Sequence, residues 1–137
     1  MHNFRKLDIW IDSVELADIV YTVTANFPRQ EIYGLASQMQ RAAVSIPSNI
    51  AEGSAKSSDK EFSRFLSISL GSLYELETQV VIASRRGYVE TPQTYELITK
   101  IDREFAKACV LVSPYFVSGR MYLVFYPLSL FHYPYRL

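Results

Sequence analysis

The chain has 137 residues, 49% of them apolar, which suits a single domain large enough to bury a core. Fourteen basic residues balance fourteen acidic ones, so overall charge gives no reason to expect a nucleic-acid or membrane partner. A single cysteine, Cys109, excludes an intrachain disulfide and fits a reducing, cytoplasmic setting. No signal peptide is expected, because no apolar stretch follows the basic start, and no apolar run reaches the length of a membrane helix.

The first segment, residues 8–26, reads as a helix with Asp8 as its N-cap. Leu7, Trp10, Ile11, Val14, Ala17 and Tyr21 recur at three- and four-residue spacing and form the main apolar stripe. Leu16, Val20 and Val23 form a second, weaker one. Two stripes suggest more than one packing neighbour. Pro28 ends the segment by disfavouring helix in Phe27.

The second segment, residues 31–52, carries Ile32, Leu35, Met39, Ala42, Ala43, Ile46 and Ile50 in helical phase. Pro47 lies inside it and predicts a kink or a break, since it lacks a backbone donor and crowds the Ala43 carbonyl. Gly53 is expected to close it as a C-terminal glycine. Ser48 and Asn49, just beyond the proline, are suited to bond backbone groups that it frees.

The third segment opens at Ser58 and Glu61, spaced as a capping box. Phe62, Phe65, Leu66, Leu70, Leu73, Leu76, Val80 and Val81 form its stripe. Ser67 with Gly71, and Ser69 with Ser72, are small residues that would let another helix approach. Gly87 ends the segment, with Arg85 and Arg86 in its last turn complementing the dipole.

The fourth segment opens at Thr91-Pro92, an N-cap followed by proline at the first helical position. Tyr95, Ile98, Ile101, Phe105, Ala108, Cys109 and Val112 form its stripe. All three joints are short. The expected fold is therefore all-α: an antiparallel up-down-up-down four-helix bundle over residues 1–112. Trp10, Val14, Leu35, Met39, Phe62, Leu66, Leu73, Ile98, Ile101 and Phe105 are the expected core.

Residues 113–137 differ in character. They contain three of the six prolines, eight aromatic residues and no acid. Arg120 and Arg136 are their basic residues, which leaves residues 1–112 with 12 basic and 14 acidic, a formal −2. Met121 to Tyr126 has the composition of a short strand. The expectation is an irregular C-terminal tail outside the bundle core. It lies along the outside of the bundle or a neighbouring subunit, or it is an accident of sequence.

No catalytic chemistry is assembled. The histidines, His2 and His132, fall outside the bundle, and no Glu-x-x-His metal motif is present. Cys109 sits on an apolar stripe as a small hydrophobe would. Five isolated glycines form no phosphate-binding loop. Neither a catalytic residue, a metal nor a cofactor is expected. Arg41, Lys56, Lys60, Arg64, Arg85 and Arg86 are the candidates for a nucleic-acid footprint, weighed against an ordinary solvated surface, since Asp59, Glu61 and Glu75 are interspersed.

The run from Gln40 to Gly53, QRAAVSIPSNIAEG, resembles the signature of the four-helix bundle proteins also called 23S rRNA intervening-sequence proteins. Phe4 to Trp10, Phe27-Pro28 with Tyr33-Gly34-Leu35, Lys60-Glu61-Phe62 and Gly71 to Glu77 match as well. The resemblance covers about residues 4–110. It implies an up-down-up-down bundle and a homo-oligomer, a ring-shaped homopentamer being known among such proteins. It also implies kinship with accessory proteins of diversity-generating retroelements, which bind a reverse transcriptase and nucleic acid. It brings no catalytic residues. This chain departs from it at Gln40-Arg41, where many relatives have two basic residues, at the less basic Ser54-Ala55-Lys56, and throughout the tail. The resulting expectation is a non-enzymatic, self-associating adaptor or scaffold, with an RNA- or DNA-binding accessory protein as the alternative.

Overall fold

A computed structural model of the chain describes residues 3–112. The tail, its strand-like stretch, His2 and His132 lie outside the described residues. A 3-10 turn, Phe4–Lys6, leads into α1 (Asp8–Thr24). A second 3-10 turn, Arg29–Glu31, precedes α2 (Leu35–Ser54). Next come α3 (Asp59–Arg85) and α4 (Thr91–Val112). Among the described residues there is no strand, and no helix is long and apolar enough to cross a membrane.

Each helix packs against two neighbours, α1 on α2 and α4, and α3 on α2 and α4. Side-chain pairs give the directions. Ser72 Oγ lies 2.9 Å from Ser45 Oγ, while Ser69 Oγ donates to the Ile46 carbonyl at 3.2 Å, so α2 and α3 run antiparallel. Glu15 meets Lys100 and Asp12 meets Lys107, so α1 and α4 do too. Tyr74 packs on Phe105 at 5.1 Å and Glu77 feels the charge of Asp102, which makes α3 and α4 antiparallel. The result is the up-down-up-down bundle.

Leu16, Met39, Ile46, Ile50, Leu66, Leu73, Leu76, Leu97 and Ile101 are the largest apolar side chains at its centre. Met39, Phe62, Leu66, Leu73 and Ile101 are buried as expected, and Trp10, Leu35, Ile98 and Phe105 are half-buried. Val14 corrects the expectation. It is 40% exposed, with Ile11 and Tyr21 on the same outer side. The face of α1 turned inward carries Ile9, Ser13, Leu16, Val20 and Val23, the stripe that looked weaker. Likewise Tyr95 on α4 is exposed, and Leu97 takes its place inside.

Pro47 does not break α2, which runs unbroken through it. Three side chains supply donors to the carbonyls beside it. Ser48 Oγ donates to Val44 O at 2.7 Å, Asn49 Nδ2 to Ser45 O at 2.7 Å, and Ser69 Oγ to Ile46 O. Ser48 and Asn49 thus bond local backbone as expected, at the carbonyls of Val44 and Ser45, the two that follow Ala43 in the turn before Pro47.

Gly53 is not a terminal glycine. It is buried within α2, and a Cβ there would lie 2.6 Å from Phe65 Cβ on α3. Its absent side chain is what lets the two helices meet at this end of the bundle. Ser69 and Ser72 likewise face α2, whereas Ser67 and Gly71 point outward. The remaining punctuation follows the expected chemistry, shifted by a residue in places. Asp8 is the first residue of α1 and not its cap, and α4 starts at Thr91 itself. Ser58 accepts from Glu61 N at the start of α3, and Gly87, at φ +71°, ends that helix.

Candidate functional site

The six basic candidates do not form one footprint. At the α2–α3 turn, Lys56 Nζ and the Arg64 guanidinium both lie 4.9 Å from the centre of the Phe65 ring. This cation–π clasp has a simple origin. Gly53 allows α2 to sit directly on Phe65, which fixes where the chain leaves the helix and so where Lys56 falls. Lys60 is exposed one turn before Arg64. Lys56 also meets Glu52 at 3.4 Å, which offsets part of the local charge.

Arg85 and Arg86 stand 21 and 22 positions beyond Arg64 on the same helix, about 32 Å away. Arg86 lies over the Tyr88 ring at 5.8 Å, and the Tyr88 hydroxyl donates to Glu31 Oε1 at 3.3 Å, so this group ties the α3–α4 turn to the start of α2. Arg41 is exposed on α2, in neither cluster. The structure thus brings together Lys56, Lys60 and Arg64 and separates the other three.

The most perturbed ionisable group was not among the candidates. Glu104 is 2% exposed, and burial raises its pKa to about 7. Lys107 donates to Glu104 Oε1 at 3.2 Å and also pairs with Asp12 across the α1–α4 seam. Glu104 Oε2 has no hydrogen-bond partner among the described residues. The sequence signal was its phase: Glu104 falls in step with Leu97, Ile101 and Ala108, all buried. A carboxyl poised near 7 suits acid–base work, but this one is buried within the bundle, at 2% exposure.

Cys109 is half-buried, and burial raises its thiol pKa, the opposite of what activates a nucleophile. Among the described residues, no group of three His, Cys, Asp or Glu side chains could hold a metal ion.

On the outer side of α3, Tyr74, Glu77, Thr78, Val81, Ile82 and Arg85 line a shallow groove. On the outer side of α1, Ile11, Val14 and Tyr21 form an exposed apolar line.

Residues 5–108 match the family described as 23S rRNA-intervening sequence protein. The chain belongs to that family. A solved structure from the S23 ribosomal protein family of Bacteroides thetaiotaomicron VPI-5482, a protein with unknown function, has the same fold. Its TM-score is 0.69 at 21% identity, over 76% of this chain and 97% of that one. No curated protein matches the sequence. As a member of the 23S rRNA-intervening sequence family, the chain has the bundle that its QRAAVSIPSNIAEG run implied. In this bundle that run is the Pro47 segment of α2, and its Ser45, Ser48 and Asn49 serve the helix itself and its contact with α3.

Proposed function

We propose that the protein is a non-catalytic helical bundle that associates with copies of itself and acts as an adaptor or scaffold in the cytoplasm. The observation that carries this reading is the line of Ile11, Val14 and Tyr21, 40–48% exposed on the outside of α1 while the opposite face fills the core. Apolar side chains aligned over about 15 Å of helix are covered at low cost by another subunit. The family resemblance favours five subunits. Light scattering on the intact protein tests this. The expected mass is a multiple of 15.7 kDa, falling to one chain when Ile11, Val14 and Tyr21 are all replaced by Asp. A wild-type protein that stays at one chain at high concentration refutes it.

The clasp of Lys56 and Arg64 on Phe65 favours a second reading, an accessory protein for RNA, DNA or a reverse transcriptase bound to them. Symmetry would repeat a modest basic patch around a ring. Binding would then weaken steeply with salt through counterion release. Replacing Lys56, Lys60 and Arg64 by Glu is expected to abolish a low-salt gel shift. No retention by the unaltered protein removes this reading.

A further inference from the structure

The outer sides of α1 and α3 differ in charge. Every charged residue of α1 is an acid: Asp8, Asp12, Glu15 and Asp18. Asp12 and Glu15 pair with Lys107 and Lys100 of α4, whereas Asp8 and Asp18 form no ion pair among the described residues. Asp18 is exposed between Val14 and Tyr21 of the apolar line. Joining α1 to α1 between two copies would set acid against acid, which disfavours association. The outer side of α3 is the reverse. Arg64, Ser67, Gly71, Thr78, Ile82 and Arg85 recur at helical spacing, and all are exposed. This line holds bases and no acid, since Asp59, Glu61, Glu75 and Glu77 fall to its sides. Ser67 and Gly71 leave its middle low, and no atom lies within 4 Å of the place a Gly71 Cβ would take. The other two helices offer less. The charged residues of α2 are Arg41 and Glu52, and α4 engages Lys100 and Lys107 with its own α1.

We infer that the acidic, apolar line of α1 seats on the basic, small-residue line of α3 in the next copy, so that association is head-to-tail. The inference rests on the self-association proposed above and adds which faces meet. Helices α1 and α3 do not pack on each other, and both pack on α2 and α4, so they stand at opposite corners of the bundle. One copy can therefore use both lines at once, each towards a different neighbour. That arrangement builds rings or filaments rather than two-fold pairs. Both helices run antiparallel to α4, so in copies set side by side they run parallel to each other. Their heights agree as well. Helix α4 joins Lys107 to Asp12 and Lys100 to Glu15, and it joins Phe105 to Tyr74. The stretch from Ile11 to Asp18 thus stands at about the height of the stretch from Gly71 to Ile82. Ile11 and Val14 of one copy meet the low middle of the α3 line in the next. Asp8 falls towards Arg64 and Asp18 towards Arg85, the bases at the two ends of that line. Complementary charge then selects α3 over a second α1.

Two variants of the full chain test this polarity. The first, Ile11→Asp with Val14→Asp, spoils the α1 line. The second, Gly71→Glu with Thr78→Glu, spoils the α3 line. All four positions are exposed, so each variant is expected to keep a cooperative thermal transition. If the second loses it, Arg64→Glu with Arg85→Glu takes its place, since that change alters charge without filling space. By light scattering the parent is expected as a multiple of 15.7 kDa and each variant alone as one chain. Mixed in equal amounts, the two variants are expected to form a two-chain species, because the second still offers α1 and the first still offers α3. A one-chain parent overturns the self-association and this pairing with it. Where the parent assembles, a mixture that stays as single chains overturns the head-to-tail pairing alone. So does a second variant that assembles as the parent does, and loss of its low-salt gel shift would then assign the α3 line to nucleic acid.

Discussion

At the scale of single residues, Glu104 has the clearest energetic signature. Its folded pKa of about 7 lies above the usual 4.5, so the folded state holds more protons between those values. By linkage, stability is greatest below pH 4.5 as far as this group is concerned, and it falls as pH rises towards 7. Glu77 and Asp102 are shifted in the same direction, so the informative quantity is the difference between parent and variant. Glu104→Gln keeps the shape and removes the titration. In urea unfolding it is expected to lose roughly 1–3 kcal/mol less stability than the parent between pH 5 and pH 8. Parallel pH curves for the two proteins would show that Glu104 ionises freely. Its burial was legible in the sequence, because helical phase assigns it to the face of Leu97 and Ile101. Its pKa was not, because that depends first on how far the neighbouring helices bury the carboxyl, and then on the opposed effects of Lys107 and of Asp12 on α1.

At the scale of elements, two glycines with opposite surroundings separate packing from helix propensity. Gly53 meets Phe65 Cβ at a distance no real side chain tolerates, whereas Gly71 has nothing within 4 Å of its would-be Cβ. Gly53→Ala must push α2 and α3 apart and is expected to destabilise by about 1–3 kcal/mol. Gly71→Ala lies in an exposed helix interior and is expected to stabilise by roughly 0.5–1 kcal/mol. Thermal unfolding of the two variants checks both signs. Comparable losses in both would mean that α2 and α3 do not approach at Gly53. The closeness of α2 and α3 also shows in Ser45, Ser69 and Ser72, small polar residues that bond across the seam where larger ones would hold it open. The α1–α4 seam is held differently, by the Glu15–Lys100 and Asp12–Lys107 pairs at its surface.

At the scale of the whole molecule, four buried helix faces close one core, and α4 contributes to it as far as Val112. The expectation is that residues 113–137 are not needed to complete it. A chain ending at Val112 is expected to keep a cooperative thermal transition. Loss of that transition, with the full chain retaining it, would place the tail within the fold.

The sequence by itself determined the number of helices, their order, and most of their ends. Those follow from local rules: apolar period, Ser58 as a cap, Gly87 in a left-handed turn, and short joints that force neighbours to be antiparallel. Only the tertiary structure decided which side of α1 faces in. Ile11, Val14 and Tyr21 were as good a stripe as Leu16, Val20 and Val23, and periodicity defines faces without saying which one meets a partner. Gly53 changed from a stop signal to a contact, because its meaning depends on Phe65, twelve residues away and on another helix. The basic residues divided for the same reason. Helix α3 holds Arg64 and Arg85 about 32 Å apart, while the turn beyond Gly53 brings Lys56 and Arg64 onto one ring.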